Sequence, residues 1–164
     1  MPGSKLPTVR ILPMGSKTSK GVLVNPEFIS GIYSTALPED PNFFHKISRE
    51  EIAANSKIFG QRYFAIENSS REIVGATSVF PALEFHDWYV SETLVIPNYR
   101  GKRYSGVSKK ELANLLKREG SKTLFARTNP VNAASIKALR KAGFRKFKKK
   151  TEFDFGLVTF RRRI

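Results

Sequence analysis

Two stretches between residues 94 and 144 combine basic side chains with turns suited to gripping an anion. The first, Leu94-Val95-Ile96-Pro97-Asn98-Tyr99-Arg100-Gly101-Lys102, ends an apolar strand at a basic turn. The second runs from Asn129-Pro130-Val131-Asn132 to Lys141-Ala142-Gly143-Phe144. A strand that stops at a turn and feeds a helix aims several free backbone N–H groups at one point, and the helix dipole adds partial positive charge there. That is a geometry for holding phosphate. Arg100, Lys102 and Arg103 reinforce it, because guanidinium and ammonium groups chelate what the backbone cradles.

At these residues the chain resembles the GNAT family of acetyl-CoA-dependent N-acetyltransferases. The family's pyrophosphate loop reads Arg/Gln-x-x-Gly-x-Gly/Ala, commonly inside Pro-x-Tyr-Arg-Gly-Lys-Gly, and its second motif reads Asn, a short helix, then Lys-x-Gly-Phe. Pro97, Tyr99, Arg100, Gly101 and Lys102 match the first, and Asn132, Ile136, Lys141, Gly143 and Phe144 match the second. The resemblance covers residues 60–164, with the N-terminal part compatible.

The resemblance implies an α/β (α+β) fold: a mixed, mostly antiparallel central sheet flanked by helices and splayed at a cofactor cleft. It implies acetyl-CoA as co-substrate, met by the strand end Leu94-Val95-Ile96 and by the loop Arg100, Gly101, Lys102, Arg103, Tyr104, Ser105 and Gly106. Asn132 has two compatible readings, capping its helix through its side chain and bonding the pantetheine amide, and Lys137 either reaches cofactor phosphate or nucleic acid or is solvated. Glu92 stands where the family often keeps its base or a water-relaying carboxylate; the other reading is an ordinary strand carboxylate. Alternation puts Glu92 on the same side as Leu94. Two departures stand out. The family's loop glycines fall on Arg103 and Ser105, and the Tyr that serves many members as general acid falls on Leu139.

Length and composition bound the other readings. A chain of 164 residues is expected to form one domain over 1–164 with a single sizeable core. Its 40% hydrophobic and 12% aromatic content favours folding over disorder. Cysteine is absent, which excludes disulfides, Cys-ligated zinc and a thiol nucleophile. Neither a signal-type apolar run nor a membrane-spanning one is present, so the protein is expected to be soluble and cytoplasmic, with no membrane partner. No Walker loop or Gly-x-Ser-x-Gly elbow appears. His45 and His86 are the only histidines; His86, in Glu84-Phe85-His86-Asp87-Trp88, lacks a second imidazole, and no metal site is expected.

The net charge of +15 is concentrated in one half. Residues 1–95 hold 9 Lys and Arg against 10 Asp and Glu, whereas residues 96–164 hold 20 against 4. One CoA does not require so large a surplus. It favours a further polyanion, a nucleic acid among them. Alternatively Lys109, Lys110, Lys117 and Lys122 form a solvated helix face and Arg161-Arg162-Arg163 a solubilising tail. Phe43-Phe44, Phe147, Phe153 and Phe155 either stack on bases or, as apolar aromatics more often do, fill the core.

Elements able to position these residues follow from periodicity. A short strand is expected at 8–12, loosely helical chain over 26–60 with a break at Pro38 to Pro41, and strands at 62–66, 73–80 and 88–96. The helix after Arg100 carries Tyr104, Val107, Leu112, Leu115 and Leu116 on one face and ends at Gly120. A strand at 123–127, the second-motif helix and two C-terminal strands turning near Asp154-Phe155-Gly156 complete the order. Two functions remain open. One is an N-acetyltransferase acting on a primary amine, on or near a polyanion or in a small molecule; the other is a GNAT-fold basic protein without catalysis that binds nucleic acid or serves in an assembly. Exposed sheet edges leave a homodimer open.

Overall fold

The computed structural model describes residues 6–38, 46–83, 87–147 and 156–164. The chain runs β1 (Val9–Pro13), α1 (Pro26–Tyr33), α2 (Arg49–Phe59), β2 (Arg62–Asn68), β3 (Ile73–Ala82) and β4 (Asp87–Val95). A 3-10 turn (Pro97–Tyr99) leads to α3 (Tyr104–Arg118), β5 (Thr123–Thr128), α4 (Ala133–Lys141), β6 (Arg145–Lys146) and β7 (Val158–Arg163). The seven strands form one sheet ordered β1-β2-β3-β4-β5-β7-β6. Every pairing is antiparallel except β4 with β5. This is the mixed, mostly antiparallel sheet flanked by helices that the family resemblance implies.

Local chemistry sets the helix starts. Asn25 accepts from the Phe28 N–H at 2.8 Å and Pro26 occupies the first turn, so α1 begins with one orphan donor satisfied, another removed and φ preset. Ser48 caps α2 by accepting from Glu51 N–H at 3.1 Å, and Gly60, with φ +65°, ends it. The two faces of the sheet then bury separate cores. Ile29, Tyr33, Ile52, Tyr63 and Leu94 pack under α1 and α2. Phe64, Leu112, Leu116, Leu139 and Phe144 pack under α3 and α4.

Several sequence expectations shift. The outer strand and β4 begin and end within a residue of their expected bounds, since strand limits depend on pairing partners. Lys109 is only 6% exposed, so the reading of it as part of a solvated face is wrong, while Lys110, Lys117 and Lys122 are exposed. The face of α3 that packs inward is wider than its apolar residues alone suggest. Phe147 is half-buried and packs on Phe125. Phe43, Phe44, His45, His86, Phe153, Asp154 and Phe155 lie outside the described residues. No helix among the described residues is long and apolar enough to cross a membrane.

An ion pair with a buried carboxylate ties the β1–α1 connection to the sheet. The Glu67 carboxylate, 2% exposed, accepts from the Ser19 N–H and hydroxyl and from Arg10, each at 2.7 Å. Burial alone would push the Glu67 carboxyl up, but the Ser19 hydrogen bonds and the Arg10 charge outweigh it and hold it below its ordinary value. A depressed native value stabilises the fold above the unfolded value near 4.5, and that contribution is lost as pH falls through the lower native one. Glu67→Gln is expected to cost about 1–2 kcal/mol at pH 7 and to remove this part of the acid sensitivity. Urea titrations at pH 7 and pH 3 check it; equal losses at both pH values would contradict it.

Candidate active site

The sheet opens at β4 and β5, the parallel pair among the described strands. β4 meets β5 at Trp88–Leu124, Tyr89–Phe125 and Val90–Ala126, and the strands then part. From Ser91 to Val95, β4 keeps its partners on β3 alone, including Thr93 opposite Thr77 and Leu94 opposite Ala76. Backbone groups on the β5 side of this segment therefore face a cleft instead of a neighbouring strand. A register shift between Thr77 and Val79 accompanies the opening: two residues of β4, Ser91 and Glu92, oppose Ser78. Such a bulge turns the side chains beyond it to the opposite face.

Gly75 fixes the close approach of β3 to the end of β4. A Cβ placed there would overlap the Leu94 carbonyl oxygen and come within 3.3 Å of Val95 Cα. Sequence inspection misses this role, because a glycine within an apolar strand carries no mark of which backbone lies beside it.

The loop that follows is held against the end of β4. Arg100 folds back so that its Nε donates to the Val95 carbonyl at 3.1 Å, tying the loop to the strand end. Gly101 has φ +77° and Arg103 φ +68°. Arg103, at the position where the family carries a glycine, thus adopts the left-handed conformation that glycine takes freely, at a cost of about 1 kcal/mol. It precedes α3 without capping it, and no acidic residue occupies the first turn. The first-turn amides of Tyr104, Ser105 and Gly106 have no intrahelical acceptors. Around them stand exposed Lys102 and Arg103, Lys102 lying 5.5 Å from the Tyr99 ring centre.

The remaining expected residues divide. The Leu94 side chain is buried under α1 and α2, so only its backbone borders the opening. Tyr104 packs its ring against the Val9, Ile66 and Val74 cluster and leaves its N–H at the helix start. Asn132 caps α4 by accepting from Ser135 N–H at 3.0 Å, which settles the capping reading and leaves its amide nitrogen as a donor. Lys137 is exposed on α4. Leu139 is buried at 1% exposure among α3 and sheet residues.

Glu92 lies on the α1 and α2 face with Leu94, as alternation predicts. One of its carboxylate oxygens is buried. Tyr33 donates its hydroxyl to the Glu92 backbone carbonyl at 3.2 Å. Burial drives the Tyr33 hydroxyl well above the ordinary tyrosine value, and the Glu92 charge drives it further. Tyr63, beside it, is raised by burial and by Glu92, against an opposing hydrogen bond from Asn55. Tyr33 and Tyr63 thus lie within electrostatic reach of the carboxylate, and sequence reasoning missed both.

Further along this face lies an aromatic floor. Phe80 stacks on Tyr89 with ring centres 5.2 Å apart, and Tyr89 meets Phe125 at 5.3 Å. Arg127 lies over Tyr89 at 4.2 Å and donates to its hydroxyl at 2.9 Å. No group of three or more His, Cys, Asp or Glu positioned for a metal occurs among the described residues.

Comparison with known proteins agrees with this architecture. The sequence model described as Acetyltransferase (GNAT) domain matches residues 25–145. No curated protein sequence matches the chain significantly. Among solved structures, the aminoglycoside acetyltransferase AAC(6')-Ib in complex with coenzyme A and kanamycin superposes with TM-score 0.74 at 14% identity, over 95% of each chain. The ribosomal-protein-S18-alanine N-acetyltransferase from Escherichia coli does so with TM-score 0.65 at 15% identity, over 96% of this chain and 94% of that one. The GNAT domain of S. lividans PAT gives 0.69 at 17%, over 95% and 90%. At these identities the likeness is one of fold.

Proposed function

Because this chain belongs to the GNAT acetyltransferase family, we propose that it transfers an acetyl group from acetyl-CoA to a primary amine, using the parted strands and the start of α3. The observation that carries this reading is the convergence of two features: β4 backbone groups facing a cleft beyond Val90, and an uncapped, cation-lined helix start just after it. Acetyl-CoA supplies an activated acetyl thioester. Its pyrophosphate suits the first-turn amides with Lys102 and Arg103, while Arg100 holds the loop against β4. Its pantetheine arm suits the backbone of residues 91–95 and the amide nitrogen of Asn132. This backbone also offers a donor to negative charge developing on the acetyl oxygen.

Glu92 is the base in this reading, taking the amine proton directly or through water. Tyr33 and Tyr63 keep that carboxylate in a partly desolvated setting, which suits proton acceptance. The acceptor approaches along the aromatic floor. Leu139 offers no proton to the departing thiolate, which draws it from solvent.

The acceptor amine is proposed to be borne by, or close to, a polyanion. Lys137, Arg140, Lys141, Arg145, Lys146 and Arg161 are exposed around α4 and the edge strand β6. Arg145 and Arg161 sit directly opposite one another, an arrangement that is unfavourable until an anion intervenes. Binding to a fluorescent RNA is expected to weaken about a hundredfold between 50 and 200 mM salt, and the Arg145→Ala, Arg161→Ala double variant should flatten the slope. Salt-independent binding, or none, would contradict the polyanion. A second reading, binding without catalysis, is favoured by Leu139 and by Arg103 in place of glycine. Labelled acetyl transfer to an amine on RNA, protein or small molecule decides between them: transfer supports the enzyme, and RNA binding with no transfer to any acceptor supports the second reading.

A further inference from the structure

Lys109 is a buried cation with no counter-ion among the described residues. It is 6% exposed on the inner side of α3, and its Nζ donates to Ser105 Oγ at 2.8 Å, in the first turn of the same helix. No carboxylate pairs with it among the described residues. An ammonium has three donors, and Ser105 takes one. Holding such a charge away from water is costly, and the positive end of the helix adds to the cost.

None of the elements packed against α3, which include β1, β4 and α4, relieves it. Arg10 of β1 is engaged by Glu67. On β4, Asp87 accepts from the Lys122 N–H at the far end, and Glu92 occupies the opposite face. On α4, Lys137, Arg140 and Lys141 are exposed. On α3 itself Lys110 is exposed, and Glu111 acts on Arg162. Desolvation accordingly lowers Lys109 to about 8.

We propose that Lys109 is a positioning residue for the cofactor pyrophosphate: its ammonium, bonded to Ser105 Oγ, turns the Ser105 hydroxyl proton outward as a donor to phosphate and places a positive charge behind the loop. The idea rests on the assignment of the α3 start as the acetyl-CoA site. It also gives a reason for the two loop departures. Arg103 and Ser105 replace glycines that allow close backbone approach, and a buried charge acting through a side-chain hydroxyl restores attraction that the longer separation weakens. An anion bound there raises Lys109 towards its ordinary value, so binding takes up a proton above about pH 8.

Calorimetric titration with acetyl-CoA at pH 7 and pH 9 tests this, alongside the melting temperature of the free protein. Wild type is expected to bind about tenfold more weakly at pH 9. Lys109→Met should bind about tenfold more weakly than wild type at pH 7, show no change at pH 9, and melt higher when free, because an apolar chain replaces a buried charge. Ser105→Ala, which leaves the lysine in place, should share the weakened binding at pH 7; Lys109→Arg should hold its affinity at pH 9. Wild-type affinity and pH dependence in Lys109→Met, or in Ser105→Ala should the methionine variant not fold, would overturn the proposal while leaving the cofactor site standing. Failure of wild type to bind acetyl-CoA at all would remove both.

Discussion

Replacing Gly75 with alanine is expected to lower the melting temperature by roughly 10 °C and to remove most of the affinity for acetyl-CoA. The added methyl would overlap the Leu94 carbonyl oxygen and press on Val95 Cα. Both are backbone atoms in a paired strand, so no flexible side chain can swing aside, and β4 itself must move at a cost of about 3 kcal/mol. Movement there does not stay local. Val95, the pairing partner of Gly75, accepts the hydrogen bond from Arg100. Shifting it misplaces both the cleft-facing backbone and the basic turn. Thermal melts and acetyl-CoA titration together check this; a melting temperature within about 2 °C of wild type, with unchanged affinity, would show that Gly75 does not set the opening.

Glu92→Gln is expected to reduce kcat by about a hundredfold to a thousandfold with little change in KM for acetyl-CoA. The substitution keeps shape and most hydrogen-bonding capacity, so α1, β2 and β4 should stay in place while the proton acceptor is lost. Residual turnover comes from holding amine and thioester together. The rise in rate with pH that reports the base should disappear with it. A loss of less than about threefold would remove Glu92 from the chemistry and leave proton acceptance to solvent.

Much of this fold was legible in the sequence for specific physical reasons. Tyr104, Val107, Leu112 and Leu116 recur at helical spacing, and the basic turn announced where α3 begins. Asn132 and Gly143 bracket α4 with recognisable start and stop chemistry. The side taken by Glu92 followed from simple alternation with Leu94, because the register is regular again from the second bulge residue onward. What remained hidden depends on contacts distant in sequence. The register shift at Ser91–Glu92 exists only relative to β3, and the tyrosines around Glu92 arrive from α1 and β2. Lys109 resisted reading for another reason. Lysine is rarely buried without a partner, so a sequence argument assigns it to solvent by default. It lies one turn behind the candidate phosphate loop, bonded to Ser105.

The central claim is that the start of α3, with the parted end of β4, holds acetyl-CoA. Native mass spectrometry of the protein incubated with acetyl-CoA, compared with an Arg100→Ala variant, tests it most directly. Wild type should carry one acetyl-CoA per chain, and the variant, deprived of the bond that ties the loop to Val95, should carry little or none. A wild type that emerges without cofactor, or a variant that retains it equally, would contradict the account.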